Sequence, residues 1–164
     1  MHTTEIASSL ARLFSELADG PGEHSAFMLN SGDIGLLRSL DALSDADASR
    51  SANGGATIAA HAQHLRYGLS LMNRWAAGGG NPFADARWDE AWKTSRVDES
   101  AWLEIRNGLR DEAHRWLTTL DSPRQVSDVE FTGIVASIAH LAYHLGAIRQ
   151  IARDARGPRE GTFA

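Results

Sequence analysis

Four stretches of the chain space their apolar side chains by alternating steps of three and four, which lines one face of an α-helix. The first, Ile6, Leu10, Leu13 and Leu17, runs into the breaker Asp19-Gly20-Pro21-Gly22. The second, Ile58, Ala62, Leu65, Leu69, Met72 and Ala76, starts after Asn53-Gly54-Gly55 or Thr57 and is closed by Gly78-Gly79-Gly80-Asn81-Pro82. Trp102, Ile105, Leu109, Ala113, Trp116 and Leu120 form the third, with Asp98 or Ser100 as N-cap and Pro123 beyond its end. The fourth, Ile134, Ile138, Leu141, Leu145, Ile148 and Ala152, is capped by Ser127 with Glu130 or by Thr132, and ends by Gly157-Pro158. No period-two strand competes with these patterns. The expectation is an all-α chain: an antiparallel four-helix bundle in one domain over residues 1–164, with the neighbour relations of the helices left open.

Two connections exceed what a plain bundle needs. Residues 20–56 hold a short helical pattern at Leu36, Leu37, Leu40 and Leu43, and residues 78–98 hold Trp88 and Trp92. Long connections in a small domain often bind or cover something. The i,i+4 spacing of Trp88 and Trp92 in a polar loop suits closure of a pocket or a dimer contact, whereas Trp102 and Trp116 fit the core stripe.

All of the fourth stripe but Ala152 lies within Phe131 to Ile148, eighteen residues without a formal charge that nonetheless carry His140 and His144. One helical turn separates these two, so both imidazoles leave the same face. A helix apolar nearly all round is buried among others, and buried imidazoles need partners. On the second helix His61 and His64 each sit one residue before a stripe member, as His140 and His144 do on the fourth. All four therefore emerge from the same flank of their stripes and converge if the two helices pack together. A histidine pair plus a third imidazole offers Zn²⁺ or Ni²⁺ three neutral nitrogens, with positions left for water or substrate. The competing explanation is a buried histidine network that holds no metal. His2, His24 and His114 lack such an arrangement and read as surface residues.

Composition narrows the chemistry further. The chain has no cysteine, so disulfides and thiolate ligands or nucleophiles are excluded, and any metal must be held by His, Asp or Glu. A net charge of −5 with Lys93 as the single lysine argues against a nucleic-acid binder. Glu5, Arg12 and Glu16 interrupt the amino-terminal pattern, which does not read as a secretion signal, and the polar side chains of the fourth helix make it a poor membrane span. A cytoplasmic protein with a small-molecule substrate, and neither a nucleic-acid nor a membrane partner, is the expectation.

The segments GGATIAAHAQHLRYGL and ASIAHLAYHLGAIRQI together resemble the DinB-like superfamily, which includes bacillithiol S-transferases and mycothiol-dependent maleylpyruvate isomerases. The likeness covers most of the chain as four helices, with specific motifs in the second and fourth. It implies a DinB/YfiT-like bundle with a three-histidine divalent-metal site, often homodimeric. The family pattern places an apolar residue six positions before the ligand of the second helix, as Ile58 stands before His64, and then a histidine pair one turn apart on the last helix. Through it the ligand role falls to His64, His140 and His144. His61 stands where the family more often has an apolar residue, which makes it a hydrogen-bond partner of a ligand, a substrate contact or a fourth ligand. The activity implied is a metal-dependent thiol transfer using a low-molecular-weight thiol. A metal-dependent hydrolase and a non-catalytic, stress-linked metal-binding dimer are the alternatives.

Other side chains have a functional and a structural reading. Tyr67 and Tyr143 can offer phenols to substrate or bury their rings at the edge of the core. Arg66, Arg74 and Arg149 can hold a carboxylate, while Arg149 and Arg153 also suit the carbonyl end of a helix. Asp33, in the turn Ser31-Gly32-Asp33, can orient a ligand histidine or simply serve the turn.

Overall fold

The computed structural model describes residues 2–4, 6–23, 26–152, 155 and 157. Among these the chain is mostly helical and forms no strand beyond two isolated bridge pairs, His2 with Gln125 and Ser51 with Thr57. Its helices are α1 (Ala7–Asp19), α2 (Gly35–Asp41), α3 (Asp45–Ala48), α4 (Ile58–Arg74), α5 (Trp88–Ala91), α6 (Glu99–Asp121) and α7 (Asp128–Ile151). The four longest are α1, α4, α6 and α7, and both α6 and α7 pack against both α1 and α4. His24 and Arg153 lie outside the described residues.

Local signals account for the helix starts. The Thr57 hydroxyl accepts from Ala60 N at 3.2 Å, Asp98 from Ala101 N at 2.8 Å and Ser127 from Glu130 N at 3.1 Å. Each satisfies a backbone donor that the first turn leaves unpaired. The Glu130 carboxylate turns instead to Arg124, so the Ser127 cap is one-sided.

The stripes of α4, α6 and α7 are buried, and Trp102 and Trp116 anchor α6 with their indole N–H groups on Leu43 O and Ser137 Oγ, each at 2.9 Å. In α1 Leu17 is buried as expected, but the rest of the buried line, Ala7, Ala11, Phe14 and Ala18, lies one residue on from the expected series; Leu10 and Leu13 pack on the core only partly buried, and Ile6 precedes the helix. The physical reason is Phe14, whose ring fills more volume than either flanking leucine and draws its own face inward.

The long connections are built rather than open. In the first, the buried Glu16 carboxylate accepts from the backbone N–H of Phe27, Met28 and Leu29, and Gly35 turns the chain into α2 with φ +70°. The second begins with a π-helical turn, Trp75–Gly79, in which Gly78 has φ 89°. A 3-10 turn, Pro82–Asp85, and α5 then carry Phe83, Trp88 and Trp92 back over α4.

Among the described residues α7 is the one helix long and apolar enough to cross a membrane by length and composition. Here its apolar stripe is spent on the protein interior, with Ile134, Ile138, Leu141, Leu145 and Ile148 buried in the core.

Candidate metal centre

Helix α4 presents His61 and His64 to α7, and α7 presents His140 and His144 to α4. Their neighbours Ala62, Leu65, Leu141 and Leu145 are held in the core, so the backbone beneath each imidazole is fixed by packing rather than by the site itself. His61, His64 and His144 are buried and His140 is half-buried.

Nitrogen atoms meet at short range. His140 Nε2 lies 3.1 Å from His64 Nε2 and 2.9 Å from His144 Nε2. On the other side of the His144 ring, Nδ1 lies 2.8 Å from His61 Nδ1. Each of His64, His140 and His144 offers a nitrogen within 4.8 Å of the other two, and this three-histidine group can hold a metal ion. The spacing is the right size: nitrogens that share one ion at about 2.0–2.1 Å lie about 2.9–3.4 Å apart. The His64 Nδ1 atom is buried without a hydrogen-bond partner.

Electrostatics keeps the group neutral. Burial first, then the neighbouring His140 and His61, pushes His64 down to about 4. Burial, followed by His140, His61 and His64, pushes His144 down to about 3. Burial also lowers His61 and His140. Imidazoles that resist protonation at neutral pH keep their lone pairs, which is what binding a cation requires.

Two tryptophans close the cluster from the loop side. The Trp92 ring stacks on His64 with centroids 4.2 Å apart and meets His61 edge-on at 5.4 Å. Trp88 lies 5.1 Å from His64 and extends the aromatic cover to Phe83 at 6.0 Å and Tyr67 at 5.4 Å. Of the two roles open to these tryptophans, the contacts within this chain are those of pocket closure.

Neither protein-family models, nor curated proteins, nor solved structures match this chain. The site therefore has to be read from its own geometry.

The remaining candidates divide clearly. The Tyr67 hydroxyl accepts from Arg87 N at 2.8 Å, bracing the loop that carries Trp88. Tyr143 is exposed, its ring edge-on to His144 with centroids 5.0 Å apart. Arg66 pairs with Glu104 on α6 at 3.3 Å. Asp33 accepts from Gly35 N at 2.8 Å and from Arg149 Nη2 at 2.7 Å, so its carboxylate serves the turn and an ion pair rather than a histidine. Arg149 also donates from Nε to Ala155 O at 3.1 Å, linking α7 to the chain beyond it. His114 approaches Asp19 at 3.2 Å on the surface, and His2 contacts Thr4.

A cavity of about 370 Å³ adjoins the cluster, lined by residues of α4, α7 and the aromatic loop and sharing the His140 ring. Sequence spacing did not reveal it. The signal that was present is the pair of glycines, Gly68 and Gly133, which leave room on facing helices where larger side chains would fill it.

Proposed function

We propose that this chain is a metal-dependent enzyme in which His64, His140 and His144 hold a divalent ion, Zn²⁺ or Ni²⁺, and that it transfers a low-molecular-weight thiol to an electrophilic carbon. The observation that carries the reading is the approach of two Nε2 atoms, at 3.1 and 2.9 Å, to the Nε2 of His140. Three neutral imidazoles without a carboxylate form a donor set suited to those two metals. The ion, when bound, supplies a Lewis acid that lowers the pKa of a thiol or water in its coordination sphere. In the transfer the thiol proton passes to water, the sulfur forms a bond to the electrophilic carbon, and the bond from that carbon to the leaving group breaks, the leaving group keeping its electron pair.

The protein's own part is positioning. With His144 Nε2 as the ligand atom, the proton of that ring sits on Nδ1, and His61 Nδ1, 2.8 Å away, is placed to accept it and hold the tautomer. Trp92 stacked on His64 shields the nitrogens from bulk water and sharpens every charge interaction at the site. The same reading includes a DinB-like four-helix bundle and a homodimer, as the motif resemblance implies, and the cytoplasmic setting expected from the amino-terminal pattern.

Elemental analysis of protein purified without chelator tests it. About one Zn²⁺ or Ni²⁺ per chain is expected, with loss of that metal in His140→Ala and thiol-dependent activity in an assay with several thiols and electrophiles. Protein lacking stoichiometric metal, and unable to take it up on dialysis, overturns the reading. A hydrolase with the same ligands would show itself by cleaving esters or amides without a thiol, and a non-catalytic metal-binding dimer by keeping metal with neither activity. One observation favours a second reading: the N···N contacts from His61 through His144 and His140 to His64 form a continuous chain of short approaches. A metal-free imidazole network would explain them, and chelation would then leave the melting temperature unchanged.

A further inference from the structure

The cavity beside His140 is lined by Leu65, Leu69, Met72, Phe83 and Trp88, with Gly68, Gly133 and Ala136 making its space. Among the described residues no charged side chain lines it. The lining serine, Ser137, is already engaged: its Oγ accepts from Trp116 Nε1 at 2.9 Å and donates to Ile134 O at 2.7 Å. Arg66, beside the lining residue Leu65, is turned to Glu104. Apart from Ser137, the polar side chains on the wall are the His140 imidazole and the Trp88 indole, whose N–H can only donate. A carboxylate or phosphate held against this wall would be dehydrated with no charged side chain of the lining to pair with.

We propose that this cavity binds the uncharged, apolar body of the substrate, an aryl or branched alkyl group, and directs its reactive end past His140 into the nitrogen cluster. The inference rests on the metal-centre reading for its orientation and on the cavity for its substance. At about 30 Å³ per non-hydrogen group, the space accommodates about a dozen such atoms, at the small end of ligand pockets. Trp88 and Phe83, stacked at 6.0 Å, form the loop-side wall, so a flat ring is the best-matched shape. The site selects against anionic substrates and for hydrophobic ones.

Two titrations and one set of variants decide it. Isothermal calorimetry on zinc-loaded protein compares 2-naphthylmethanethiol with thioglycolate, both alkyl thiols, which differ in body and charge. Tryptophan fluorescence follows 2-naphthol binding to EDTA-treated protein, where no metal contributes. The expected result is at least about a hundredfold preference for the naphthyl thiol, together with saturable quenching by 2-naphthol. Ala136 lines the cavity from an exposed position, so Ala136→Trp fills the space without burying a new side chain in the core; Ala136→Leu replaces it if circular dichroism shows that the larger variant misfolds. Either variant is expected to lose the preference and the quenching while keeping the wild-type zinc content. Equal affinity for the two thiols, or naphthyl binding unaffected by the filling variant, overturns the proposal. Absence of zinc binding with 2-naphthol still bound by wild type and lost in the variant would sink the metal reading and leave the apolar site standing.

Discussion

The depressed histidines make the metal-free protein acid-sensitive over a pH range where most carboxylates remain ionised. His64 titrates near 4 and His144 near 3 in the folded chain, against an ordinary value of 6.5. Above pH 6.5 both states hold these rings neutral and no penalty arises. As pH falls below it, the unfolded chain takes up protons that the folded chain refuses, so stability drops and continues to drop until the folded values are reached. At about 1.4 kcal/mol for each pH step per group, the two rings together cost about 4 kcal/mol between pH 6.5 and 5. That is a large share of the ~5–15 kcal/mol a domain has. Urea unfolding of EDTA-treated protein at pH 7.5 and 5.0, followed by circular dichroism, measures it, and the double variant His64→Gln/His144→Gln makes the slope shallower, leaving the part that His61 and His140, also lowered by burial, contribute. An unchanged unfolding free energy at pH 5.0, or the full wild-type slope in the double variant, would refute the assignment of buried neutral imidazoles.

Saturating Zn²⁺ at about a hundred times its Kd is expected to stabilise the folded chain by about 2.7 kcal/mol, read as a rise in melting temperature that EDTA reverses. His61→Phe removes the acceptor on His144 Nδ1 and is expected to weaken metal affinity about 10–100-fold with the ion still bound, as competition with a chromogenic chelator will show; wild-type affinity would mean that His61 does not orient His144. Tyr67→Phe loses the bond to Arg87 N, about 1 kcal/mol, and should retain full metal content; metal loss would return the phenol to the site. Gly35→Ala places a Cβ 2.4 Å from Gly20 N in a residue with φ +70°, and a loss of roughly 2 kcal/mol or more should appear in chemical denaturation.

Much of this protein can be read along the chain because a helix repeats its environment every three or four residues. Trp102, Ile105, Leu109, Ala113, Trp116 and Leu120 announce the buried side of α6, and Asp98 announces its start. The same periodicity assigns His61 and His64 to one side of α4 and His140 and His144 to one side of α7, since direction around a helix follows from spacing alone. In α1 the rule slips by one position, because the bulk of Phe14 outweighs the count of leucines.

Which helices touch is a different kind of fact. That α4 lies on α7, so that His140 Nε2 stands 3.1 Å from His64 Nε2, depends on burial summed over the whole core, and no window of sequence holds that sum. The loop contacts share this origin: Trp92 against His64, Tyr67 with the Arg87 backbone, Asp33 with Arg149, Glu16 with residues 27–29. None recurs at a fixed spacing. The cavity belongs with them, for an empty volume is defined by side chains from three elements that only packing brings to its walls. Short-range backbone geometry is written in neighbouring residues, whereas partners distant along the chain are chosen by the free energy of the assembled molecule.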